Sequence, residues 1–150
     1  MRALALLAVL VGGLAAGDPE LRPAGEVETV GGTLRIARGA RLHRVTLAGR
    51  TVLEDRESGT VAIVAREPKE GAARLLLLEL GTGGSGCPAF HRVLDVTGAG
   101  QVTASAPFGN CSPLTRVRSE GGAWIVDLPR FGGAAAETWT YEGGALSQRP

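Results

Sequence analysis

CPAFHRVLDVTGAGQVTASAPFGNC, residues 87–111, opens and closes on the two cysteines of this 150-residue chain and carries a Gly-Ala-Gly turn at its middle. A three-residue hairpin loop centred on Ala99 makes opposite residues sum to 198, so Val96 faces Val102, Asp95 faces Thr103, Phe90 faces Phe108 and Cys87 faces Cys111. The choice of turn makes no use of the cysteines, so their arrival opposite one another is a check on the register. Phe90, Leu94, Val96, Val102, Ala104, Ala106 and Phe108 fall on one face, with Arg92 as the sole charge among them. His91, Val93, Asp95, Thr103 and Ser105 share the other face with the cysteines, and His91 is expected at the surface.

The flanking sequence has the same character. TVAIVA (60–65) and LLLLEL (75–80) are apolar at successive positions, so this hairpin is expected to be covered on both sides at the centre of the sheet system. The alternative is a helix over AARLLLLEL. TWTYE (138–142) alternates, with Trp139 and Tyr141 on one side and Thr138, Thr140 and Glu142 on the other, so one side should be wet. Gly-Gly pairs in VGGT (30–33), EGGA (120–123) and EGGA (142–145) mark two-residue turns with positive φ, and AGR (48–50) and EPKEG (67–71) mark longer ones. Turn signals every ten residues or so predict an all-β, antiparallel meander of 8–10 strands forming a sandwich or a partly open barrel.

At the N-terminus, Met1 and Arg2 precede the apolar run ALALLAVLV (3–11) and the small residues GGLAAG. Ala15 and Gly17 fit the minus-three and minus-one positions of a signal-peptide cleavage site, so residues 1–17 read as a cleaved signal peptide and residues 18–150 as a single all-β domain. The uncharged run from Ala3 to Gly17 falls short of the roughly 20 residues that a membrane helix needs, and Asp18 stands where a lipobox requires cysteine. The mature chain is thus expected to be periplasmic or secreted, with neither membrane span nor lipid anchor. Removing 17 residues from 150 leaves 133, carrying 15 basic against 15 acidic groups. That balance argues against a nucleic-acid binder driven by counterion release. In an exported protein Cys87 and Cys111 should be oxidised. Closing a loop of about 25 residues stabilises the fold by roughly 3.5 kcal/mol through the unfolded chain.

Catalytic motifs are sparse. GTGGSG (81–86) spells G-x-G-x-x-G after a strand, but Cys87-Pro88 and a hairpin follow where a dinucleotide site needs a helix. His43 and His91 are the two histidines, and no G-x-S-x-G elbow is present. His91 and Asp95 stand four residues apart on a strand, about 13 Å, too far for a relay. Neither the short cysteine spacing of redox pairs nor that of zinc sites occurs, so a metal set of Cys87, Cys111, His91 and His43 is disfavoured, and no metal or other cofactor is expected. Fifteen acids spread over the chain leave carboxylate catalysis open, which makes a small periplasmic hydrolase the alternative function. Arg35, Arg38, Arg41 and Arg44 recur every third residue and read as a solvated stretch, with an acidic-partner patch as the alternative. Asn110-Cys111-Ser112 matches a glycosylation sequon.

The stretch GSGCPAFHRVLDV, with FGNCS at 108–112, resembles a pattern of uncharacterised exported (periplasmic) proteins of proteobacteria, in which CPA-x-aromatic-R precedes a strand and FG-x-C-S closes the hairpin. His91 stands where that pattern has its aromatic, with Phe90 one place earlier. The resemblance implies export, a β-rich fold and the disulfide; it implies no activity. The expectation is therefore an exported, monomeric, non-enzymatic binding or structural module with a protein or glycan partner in the cell envelope. Its possible binding surface is Trp139, Tyr141, Arg35 and Arg44.

Overall fold

The computed structural model describes residues 20–150, so the leader and its cleavage site lie outside the described residues. Twelve strands form three four-stranded antiparallel sheets, each a meander of consecutive strands. The first sheet comprises β1 (Arg22–Thr29), β2 (Gly32–Arg38), β3 (His43–Leu47) and β4 (Arg50–Asp55). The central sheet comprises β5 (Thr60–Glu67), β6 (Leu75–Gly81), β7 (Ala89–Val96) and β8 (Val102–Ala104). The third comprises β9 (Arg116–Glu120), β10 (Ala123–Leu128), β11 (Glu137–Glu142) and β12 (Ala145–Gln148). None of the sheets closes into a barrel. The count exceeds the expected 8–10 because strands such as RPAGEVET and RVRSE bury at most alternate residues, and their charges read as loop.

Strand β6 is covered on both faces, as its unbroken apolar run requires. Strand β5 is not: it is the edge of the central sheet, and a register shift between Ile63 and Ala65 leaves Val64 41% exposed, with Ala62 also exposed. Leu76, Leu78, Leu80, Leu94 and Val96 pack against Val27, Leu34, Ile36, Val45 and Leu47 of the first sheet. Leu77 and Val93 point the other way and pack with Trp124, Val126, Leu128 and Tyr141 of the third. LLLLEL is therefore a strand, and the helical alternative for AARLLLLEL is not adopted. The leucines at 76, 77 and 78 have no exposed surface at all. Each such side chain contributes about 1.5–3 kcal/mol of burial, so β6 is the element both cores depend on.

Glycine turns set the meanders. Gly121-Gly122 and Gly143-Gly144 take φ values of 58°, 82°, 58° and 81°, the paired positive values of a hairpin turn that a β-carbon would disfavour. In VGGT the two-residue loop is Val30-Gly31, one position earlier than expected, since Thr29 pairs with Gly32. Gly31 has a separate constraint: a β-carbon there would stand 2.7 Å from the Thr97 carbonyl oxygen, so this turn packs directly on the β7–β8 turn.

Candidate functional site

The hairpin 87–111 follows its expected register near the turn. Val96 pairs with Val102, Asp95 with Thr103 and Leu94 with Ala104. The strands part at Ser105, whose N–H still donates to the Val93 carbonyl at 2.9 Å. The Ser105 hydroxyl accepts the Val93 N–H at 2.9 Å, and Pro107 has no N–H to offer the ladder. One extra residue is thereby accommodated, and Phe108 bridges His91 instead of Phe90. The slip turns Phe108 to the other face, where it joins the core between the central and third sheets. Gly109 and Cys111, with φ of 126° and 72°, then bring the chain back, and Cys87 and Cys111 are bonded with their Cα atoms 4.6 Å apart. The disulfide is consistent with an oxidising compartment outside the cytoplasm.

His91 is not at the surface. It is fully buried, with neither ring nitrogen hydrogen-bonded, and burial lowers its pKa from 6.5 to about 4. The reason is again tertiary: its strand face is the one covered by the third sheet. His43, 3% exposed, is also without hydrogen bonds. Burial lowers its pKa, Asp55 opposing and Arg38 adding to the effect. Neither histidine is placed for proton transfer to a substrate. Among the described residues no group of three or more His, Cys, Asp or Glu is arranged to hold a metal. GTGGSG is the end of β6 and the loop into antiparallel β7, with no helix behind it.

The residues singled out for binding divide between opposite layers. Arg35 and Arg44 lie in the first sheet, where their Nε atoms meet Glu26 at 2.7 Å and Glu54 at 2.9 Å across neighbouring strands. Trp139 and Tyr141 lie on β11, and their side of the strand is the covered one, not an exposed aromatic patch. Tyr141 is 5% exposed and donates its hydroxyl proton to Asp95 at 2.8 Å. Burial, and then the Asp95 contacts, raise its pKa to about 12. Trp139 is half-buried, its ring centroid 5.0 Å from that of Phe108, and its indole N–H donates to Glu137 at 2.7 Å.

These aromatics form one wall of a groove of about 340 Å³ between the central and third sheets. Phe108, Trp139, Tyr141 and Leu146 supply the apolar surface, and Thr103–Pro107 form the facing rim. The rim includes β8, the outermost strand of the central sheet, and β12 is outermost in the third. Sequence pattern located the aromatics; the groove needed Phe108, which the bulge delivers.

A larger cleft of about 680 Å³ opens at the end of the third sheet, between Leu114, Arg116, Asp127, Glu137 and Thr138. Its two carboxylates do not converge. Asp127 pairs across from Thr138, accepts that hydroxyl's proton at 2.8 Å and meets Arg118, on the sheet's outer face. Glu137 shares the Trp139 face and is engaged by its indole. No family model matches the chain, and neither a curated protein nor a solved structure shows significant similarity to it.

Proposed function

We propose that this chain is an exported, periplasmic or secreted β module that works as a monomer by binding or scaffolding in the cell envelope, without catalysis. Its leader-like N-terminus and its disulfide support export. No helix among the described residues is long and apolar enough to cross a membrane. The observation that carries the reading is the aromatic groove: a half-buried Trp139 beside Phe108 and Leu146, open between two outer strands. Aromatic surface at an open groove is the usual anchor for a protein or glycan partner. The hydrolase alternative is weakened by Asp127 and Glu137, which lie on opposite faces of their sheet and are each held by an internal donor.

The test is retention of envelope components on immobilised protein, compared with Trp139→Ala and Leu146→Ser in the groove and Arg35→Ala on the far layer. Retention lost in the groove variants and kept in Arg35→Ala supports the reading, provided all fold. Retention indifferent to both groove variants overturns it. Hydrolysis of envelope glycans that disappears in Asp127→Asn or Glu137→Gln would favour the alternative.

A further inference from the structure

Arg92 is the one charge on the β7 face that packs toward the first sheet, and the fold finds it no partner. It makes no ion pair or hydrogen bond among the described residues, and its Nε is buried without an acceptor. A buried Nε–H with no acceptor is costly, and the rest of the half-buried guanidinium, without a partner in the fold, is available to an incoming acceptor. It lines a small pocket of about 220 Å³ between the two sheets. Leu80, Phe90 and Pro107 give this pocket an apolar wall.

Across from Arg92 stand Asp55, Glu57 and Ser58, from the β4–β5 connection. Asp55 is committed to its own turn: it accepts the Glu57 and Ser58 backbone N–H groups at 3.0 and 2.7 Å and the Ser58 hydroxyl at 2.9 Å. The Glu57 carboxylate has no partner among the described residues. One wall of the pocket thus offers an unmatched cation and the other an unmatched anion, too far apart to pair with each other. A simple dianion would be repelled by the acidic wall, and a simple cation by Arg92. The complementary solute carries both charges on a short apolar frame. At this volume, below the about 300–1,000 Å³ of pockets for drug-sized ligands, one small molecule fills it.

We infer that the pocket between the first and central sheets binds a free apolar α-amino acid, its carboxylate on Arg92, its ammonium toward Glu57 and its side chain against Leu80 and Phe90. This site is separate from the groove and does not depend on that reading.

The experiment is an NMR titration of the isotope-labelled protein with L-leucine and with its two halves, isovalerate and isopentylamine. Leucine should give saturable shifts around Asp55–Ser58, Thr82 and Phe90–Arg92, with affinity at least roughly tenfold above either half. Arg92→Met should lose that affinity by a similar factor. Glu57→Gln, a change at an exposed residue, should reduce leucine to the level of isovalerate. No saturable shift up to the solubility of leucine overturns the site, as does undiminished binding in Arg92→Met. Isovalerate binding as well as leucine overturns the assignment of the ammonium to Glu57.

Discussion

The Tyr141 hydroxyl donates to Oδ2 of Asp95 at 2.8 Å, and this bond joins β11 of the third sheet to β7 of the central one. Arg74 approaches the other oxygen, Oδ1, at 3.5 Å. A phenol, a carboxylate and a guanidinium thus fasten the rim of an interface that is otherwise apolar.

Tyr141 is the sole tyrosine of the chain, so tyrosinate absorbance reports on it alone. Burial and the Asp95 carboxylate both disfavour the phenolate, so the folded protein should titrate near 12 where a free tyrosine titrates at 10.0. Because the folded value is raised, the associated stability is complete below 10 and is lost as pH climbs through 12. Spectrophotometric titration should show this, with Asp95→Asn bringing the midpoint back toward 10. Tyr141→Phe should cost about 1.5–3 kcal/mol in urea unfolding, the range for a hydrogen bond to a charged group.

His91 gives the opposite slope. Its imidazole is held neutral by burial, with a pKa lowered from 6.5 to about 4. Stability from this residue is therefore full above 6.5 and is lost as pH falls from 6.5 toward 4, by about 3 kcal/mol in all. His43, also lowered, adds to the loss in acid. Urea midpoints measured at intervals across that window should fall steadily. His91→Leu should flatten most of the decline, leaving the share due to His43 and to the acids. A midpoint slope unchanged by His91→Leu would contradict the account.

The disulfide is tested by removal. Cys87 and Cys111 lie 24 positions apart, and releasing that loop in the unfolded chain should cost roughly 3.5 kcal/mol. Cys87→Ala with Cys111→Ala should lower the urea midpoint accordingly, and wild-type protein held in reductant should unfold at the same midpoint as the double variant.

Much of this architecture is legible before any coordinates. The alternation-free run 75–80 marks the strand covered on both sides, whereas the similar run 60–65 forms an edge strand with Ala62 and Val64 exposed. The Gly-Ala-Gly turn places Leu94–Val96 against Val102–Ala104. Cys87 and Cys111 are predicted to bond and do so. The side of Phe108 is not legible, because it depends on the Ser105 hydroxyl taking the Val93 N–H in place of a backbone acceptor, which no residue pattern announces. The burial of His91 follows from that same covered face. For Trp139 and Tyr141 the alternation of β11 is correct, yet alternation separates two faces without saying which is dry. Only the position of the third sheet over Val93 and Leu77 decides it. The Arg92 pocket is half legible: the lone charge on an apolar face stands out in the sequence, whereas its opposite wall, Asp55, Glu57 and Ser58, comes from the connection between the first and central sheets.

The Asn110 side chain sets the last expectation. It is 6% exposed, its amide donates to the Pro129 and Ala135 carbonyls at 2.9 and 2.7 Å, and its carbonyl accepts the Ser112 N–H at 3.1 Å. The two amide bonds tie the segment carrying Cys111 to the β10–β11 connection, and the third closes the turn at Asn110–Ser112. The sequon Asn110-Cys111-Ser112 is thereby disfavoured in the folded protein: a glycan on Nδ2 replaces one of its two hydrogens and breaks one of the two amide bonds, at a side chain only 6% exposed. Expressed through a eukaryotic secretory pathway, the folded protein should keep its unglycosylated mass. Asn110→Ala leaves the buried Ser112 N–H without an acceptor, at a cost of about 1–3 kcal/mol, and removes the donor from the part-buried Pro129 and Ala135 carbonyls. Asn110→Asp restores the acceptor for Ser112 but places a carboxylate against two carbonyl oxygens, so it should be at least as destabilising as alanine. Urea unfolding of the two variants decides it, and an aspartate variant as stable as wild type would refute this hydrogen-bond assignment.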